Sequence, residues 1–161
     1  MEEIKIVPAY DREEVVRELF QEYTAMLVEE DPEFGKYLQK QNFDGEMAHL
    51  EIKYGMPYGR LYLLYVGGEP AGCIGMRKLD EENCEMKRLY IRGEYRGRNL
   101  GEKLVKRLLE DAREIGYRHM LLDTLPFLKT AISIYKRMGF YEIESYNGSP
   151  MEGLVYLKMD L

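Results

Sequence analysis

Residues that bind metals or act as nucleophiles are scarce in this chain. Among its 161 residues there are two histidines and two cysteines. His49 and His119 stand alone, with no cysteine or carboxylate at ligand spacing, so no metal site is expected. Ser133 has no neighbouring histidine to serve as its base. No Walker loop is present, which argues against nucleotide hydrolysis. If Asp80-Glu81-Glu82 is a turn between paired strands, Cys73 falls opposite a position near Leu89. A bond to Cys84 is then out of reach, and both residues are expected to remain buried thiols. No apolar run approaches membrane-spanning length, and the first residues lack the charge and apolar stretch of a signal peptide. A cytoplasmic protein without membrane partners is therefore expected. The formal net charge is −6, so nucleic acid is not an expected partner.

What is present reads as one α/β domain over residues 1–161, with no linker, repeat or low-complexity segment. Hydrophobic residues make up 45% of the chain, enough for a substantial core. A strand is expected over 4–7. A helix follows to about 29, capped by Asp11, with Val15, Leu19, Tyr23 and Met26 along one side. Asp31-Pro32-Glu33 reads as a fresh helix start. A third helix is expected over 46–54, stopped by Gly55. Strands follow over 61–66 and 70–78, joined by a Gly67-Gly68 turn, and a third over 84–91. The clearest helix spans 99–115 and ends at Gly116. A compact apolar strand over 118–124, a helix over 127–138, a strand over 140–145, a loop over 146–153 containing Pro150 and a strand over 154–161 complete the chain.

The richest segment is 84–101, C-E-M-K-R-L-Y-I-R-G-E-Y-R-G-R-N-L-G. It orders a strand, a basic glycine-containing turn and a helix start. Between Lys87 and Arg107 there are eight basic and two acidic residues, a positive block inside an acidic protein. A solvated helix face accounts for Lys103, Lys106 and Arg107. It does not account for Arg96 and Arg98 beside Gly97, because a helix N-terminus does not itself favour cations. An anionic ligand resolves that conflict. The turn Arg96-Gly97-Arg98-Asn99-Leu100-Gly101 can aim several N–H groups at one point, backed by the helix dipole.

This segment resembles motif A of the GNAT superfamily of acetyl-coenzyme A-dependent N-acetyltransferases. The family pattern is Gln or Arg, two residues, Gly, one residue, then Gly or Ala. Here it is Arg96-x-x-Asn99-x-Gly101, with Asn99 in place of the first glycine, a residue that tolerates turn and left-handed geometry. The resemblance extends from about 61 to 140. It implies the GNAT fold, a mixed and mostly antiparallel central sheet with flanking helices, in which two neighbouring strands splay around the pantetheine arm. It puts Leu89, Tyr90 and Ile91 beside that arm, although core packing accounts for them equally well. It puts the pyrophosphate on the amides of Arg96, Gly97, Arg98, Asn99, Leu100 and Gly101.

The resemblance also implies the chemistry. Acetyl transfer needs a neutral amine, so a proton acceptor is required. Glu85 on the motif strand is the candidate base, with apolar neighbours whose packing could raise its pKa. The alternative is a carboxylate paired with Arg77 or Lys87, and ordered water could replace it as base. Tyr135, in the later segment before Gly139-Phe140, is the candidate acid for the departing thiolate. Otherwise it is an aromatic on a helix core stripe. Tyr23, Met26, Arg77 and Tyr146 are the candidate acceptor-side residues. The expected acceptor is the primary amine of a small molecule or amino acid, attacked directly in a ternary complex. Protein N-termini or lysines, and a non-catalytic acyl-coenzyme A sensor, are the alternatives. Family members often pair through late strands, which leaves a homodimer open.

Overall fold

A computed structural model describes residues 2–40, 42–149, 151 and 153–161; Pro150 lies outside the described residues. The chain passes through β1 (Ile4–Pro8), α1 (Glu13–Glu30), α2 (Glu33–Lys40), α3 (Phe43–Ala48) and α4 (Leu50–Tyr54). It continues as β2 (Arg60–Val66), β3 (Glu69–Lys78), β4 (Asn83–Ile91), a single 3-10 turn (Gly93–Tyr95) and α5 (Leu100–Ile115). It ends with β5 (His119–Thr124), α6 (Lys129–Met138), β6 (Tyr141–Ile143) and β7 (Val155–Asp160). The strands form one sheet in the order β1-β2-β3-β4-β5-β7-β6. Among the described residues only the β4–β5 pairing is parallel. This is the mixed, mostly antiparallel sheet expected.

Two apolar layers clothe the sheet. Leu100, Leu104, Leu108 and Ala112 of α5 pack on one face with Tyr135 and Phe140. Val16, Leu19 and Phe20 of α1 join Leu50 and Tyr54 against β2 and β3 on the other. The four α5 residues keep helical spacing, and Gly116 ends that helix at φ 109°, a left-handed geometry that costs glycine little.

Local differences from expectation have local causes. Asp11 does not cap α1: the cap position is Arg12, which makes no side-chain cap bond, and Glu13 and Glu14 place negative charge in the first turn instead. Asp31 does act as read, accepting from the Glu33 N–H at 3.2 Å. The helix expected over 46–54 is two helices, broken where His49 adopts φ −138° and ψ 67°. The buried stripe of α1 is Val16, Leu19, Phe20, Thr24 and Leu27, leaving Tyr23 and Met26 on its flank.

The register of β3 and β4 is that of a turn at 80–82 as far as Gly75↔Lys87, then slips, so that Cys73 faces Tyr90. The slip is a bulge in β4 at Arg88, which stands at φ 61°. Cys73 and Cys84 are both free and buried.

Close approach of strands has one sharp consequence. A Cβ on Gly72 would lie 2.7 Å from the Tyr90 carbonyl oxygen and 2.5 Å from Ile91 Cδ1. The backbone oxygen cannot rotate away. Gly72→Ala is therefore expected to destabilise the protein by about 1–3 kcal/mol, read by urea or thermal unfolding. An unchanged unfolding midpoint would show that β3 and β4 can separate freely there.

Candidate functional site

The site begins where β4 and β5 part. They pair only through Asn83↔His119, Cys84↔Met120 and Glu85↔Leu121. Beyond Glu85 the β4 edge facing β5 has no strand partner among the described residues, and a cleft opens between Met86–Leu89 on one side and Leu122–Leu125 on the other. Tyr23 of α1, Tyr37 of α2 and Tyr135 of α6 complete its walls.

At the outer end of β4 lies the turn at 96–101. Gly97 sits at φ 85° and Asn99 at φ 59°, both left-handed, so asparagine fills the geometry expected of the missing glycine. A Cβ on Gly101 would meet Ile91 Cγ1 at 3.8 Å and Leu89 Cδ2 at 3.9 Å, ordinary contact distances that put the turn beside the end of β4. The N–H groups of Gly97, Arg98, Asn99, Leu100, Gly101 and Glu102 donate to no acceptor among the described residues. They stand at the positive end of the sixteen-residue α5. Arg98 is half exposed and only 3.4 Å from Glu2. Arg96 instead turns back, donating to the Ile91 carbonyl at 3.0 Å and approaching the Met26 sulfur at 3.5 Å. Met26 thus supports the turn, and it does not line the cleft. Tyr23 does line it, with its ring 5.6 Å from that of Tyr90.

Tyr135 is 5% exposed, packs its ring 5.7 Å from Phe140 and makes no hydrogen bond among the described residues. Burial, and then Tyr23, push its pKa well above the ordinary phenol value, so the hydroxyl keeps its proton.

Glu85 departs from expectation. It is 3% exposed, and Oε1 accepts from Arg77 at 2.7 Å while Oε2 accepts from Tyr146 at 2.5 Å. Burial pushes its pKa up, but Lys87, Arg77 and Tyr146 together outweigh burial and hold it below the ordinary carboxylate value. The expected upward tuning is therefore corrected: the charged form is favoured. Arg77 and Tyr146, read from the sequence as acceptor-side residues, meet here as the two clamps on Glu85.

Three further residues were not among the sequence candidates. Asp123 lines the β5 wall, and its Oδ2 accepts from Tyr37 at 3.3 Å and from Asn147 at 2.7 Å. It is the one charged residue in the run Met120-Leu121-Leu122-Asp123-Thr124, a signal that a reading for apolar pattern passes over. Arg88 is turned by the bulge onto the cleft and held by the buried Glu46 at 3.1 and 3.2 Å. Lys87, also on the cleft, is 10% exposed, and burial followed by Arg88 pulls its pKa down to about 8.

The sheet is thus split, with a row of amides at one end and a buried phenol lining the cleft. Comparison with known proteins gives the family. The acetyltransferase (GNAT) family profile matches residues 14–140. An N-acetyltransferase of Schizosaccharomyces pombe is 40% identical over 139 residues, covering 84% of this chain and 85% of that one. An N-acetyltransferase of Dictyostelium discoideum is 32% identical, covering 98% and 99%. A solved GNAT acetyltransferase of Staphylococcus aureus Mu50 shares the fold, with a TM-score of 0.76 at 20% identity over 98% of this chain and 99% of that one. The chain belongs to the GNAT family and is an acetyl-coenzyme A-dependent acetyltransferase.

Proposed function

We propose that this enzyme transfers the acetyl group of acetyl-coenzyme A directly to the primary amine of a small molecule or amino acid within a ternary complex. The observation that carries the reading is the row of six amides at 97–102, without acceptors among the described residues, leading into the β4–β5 gap, with Tyr135 lining the same cleft. These amides fit a pyrophosphate, and the unpaired β4 edge beside Leu89, Tyr90 and Ile91 fits a pantetheine amide chain. When bound, the co-substrate supplies an activated thioester. The Tyr135 hydroxyl gives its proton to the leaving sulfur. The acceptor amine's proton passes to Asp123, whose Oδ1 accepts no hydrogen bond among the described residues. Glu85 has both oxygens engaged by Arg77 and Tyr146 and, like them, is not among the residues lining the cleft. The reading is favoured over a non-catalytic sensor because a binding module needs neither a proton donor nor a carboxylate at the cleft floor.

The direct test is calorimetric titration with acetyl-coenzyme A of the natural protein and of an Arg98→Glu, Gly101→Glu double variant. Two carboxylates at the cradle oppose the pyrophosphate, and binding at least roughly tenfold weaker is expected. Equal affinity for both proteins would remove the cradle from the site.

A further inference from the structure

We propose that Lys87 is the receptor for a carboxylate on the acceptor, so that the preferred acceptors are amines that also carry an acid group, as free amino acids do. The inference rests on the acetyltransferase reading above and concerns the same cleft.

Lys87 is nine-tenths buried and lines the cleft, yet makes no hydrogen bond among the described residues. Its nearest carboxylate oxygen is Glu85 Oε1, 3.9 Å away, which Arg77 already holds at 2.7 Å. No buried side-chain nitrogen or oxygen among the described residues lacks a partner while sealed from solvent, so the ammonium reaches the cleft surface. A largely desolvated ammonium with so long a pairing is costly to keep. The surrounding groups do not relieve it. Among the described residues, Lys53, Arg77, Lys87 and Arg88 face Glu46, Glu85 and Asp123, four cations to three carboxylates, and Glu46 is engaged by Arg88 and Lys53. A carboxylate brought by the ligand supplies the missing partner.

The geometry also orients such a ligand. The bulge sets Lys87 and Arg88 side by side on the β4 wall, while Asp123 stands on the β5 wall. An amino acid placed between them meets positive charge at its acid end and negative charge at its amine end. Protein N-termini, whose α-carboxyl is tied up in a peptide bond, lack the first of these matches.

The test compares matched acceptors: lysine with cadaverine, phenylalanine with phenethylamine, and each amino acid with its amide. Thiol release from acetyl-coenzyme A is the readout. The natural enzyme is expected to favour the acid-bearing member in kcat/KM by at least roughly thirtyfold, the effect of a desolvated charge pair. In Lys87→Met that ratio is expected to collapse through KM, and Lys87→Arg should recover part of it. The ratio should also fade above about pH 8 as Lys87 loses its proton among Glu85, Arg88, Lys53 and Asp123. Equal use of both members by the natural enzyme overturns the proposal without requiring any variant to fold. So does acetylation of Lys87 itself, detected by mass spectrometry, because the residue would then be a nucleophile. Binding of acetyl-coenzyme A with no acid-bearing acceptor turned over defeats the carboxylate receptor alone. Failure to bind acetyl-coenzyme A defeats the function beneath it.

Discussion

Replacing Tyr135 by phenylalanine is expected to lower kcat by about a hundredfold or more, the usual contribution of a placed proton donor. Affinity for acetyl-coenzyme A and the unfolding midpoint should be unchanged. The separation follows from the surroundings of the side chain. Its ring is packed against Phe140 and remains in the variant, whereas its hydroxyl makes no hydrogen bond among the described residues that folding would lose. The raised phenol pKa keeps the proton in place across the neutral range, so activity should not fall on the alkaline side through Tyr135. Steady-state kinetics beside calorimetry decide it. A Tyr135→Phe enzyme with natural kcat would reduce the residue to packing.

The second large effect is on stability. Glu46 is 2% exposed in its side chain and is the hub of a buried network. It accepts from Arg88 at 3.1 and 3.2 Å, from Lys53 at 2.7 Å and from the Tyr54 hydroxyl at 2.9 Å. Glu46→Ala removes the counter-charge of a buried guanidinium and the acceptor of a buried phenol. The expected loss is about 3–5 kcal/mol, a fall of roughly 10 °C in Tm. A loss below about 1 kcal/mol, the level of an exposed pair, would contradict this account. Burial alone would raise the pKa of Glu46, but Arg88 and then Lys53 overcome it and hold it down to about 2. A depressed carboxylate stabilises above its ordinary value of 4.5 and loses that contribution as pH falls toward 2. At most about 3 kcal/mol should disappear across that window in the natural protein, and not in the alanine variant.

The turn at 96–101 was legible in the sequence because its signal is local. Gly97 and Asn99 lie two residues apart, and left-handed geometry at a helix start selects for them directly. The α5 stripe and the Gly116 stop were legible for the same reason. The electrostatics of the cleft were not. Glu85 reads as a carboxylate between apolar neighbours, and its lowered pKa comes partly from Tyr146, 61 residues away. The pairing of Glu46 with Arg88 spans 42 residues. It also depends on a bulge that alternation along β4 does not announce. Asp123 was hidden by the apolar strand that carries it, since it reaches the cleft only where β5 has left β4.

That bulge divides β4 into two surfaces with separate histories open to them. Met86 and Leu89 join the apolar cluster around α5, while Lys87 and Arg88, adjacent in sequence, stay outside it, although all four reach the cleft. The Lys87 codon can therefore be rewritten without disturbing the wall beneath the helix, whereas Arg88 is tied to the buried Glu46. A descendant of this chain could change what it acetylates while inheriting, intact, the means of holding the donor.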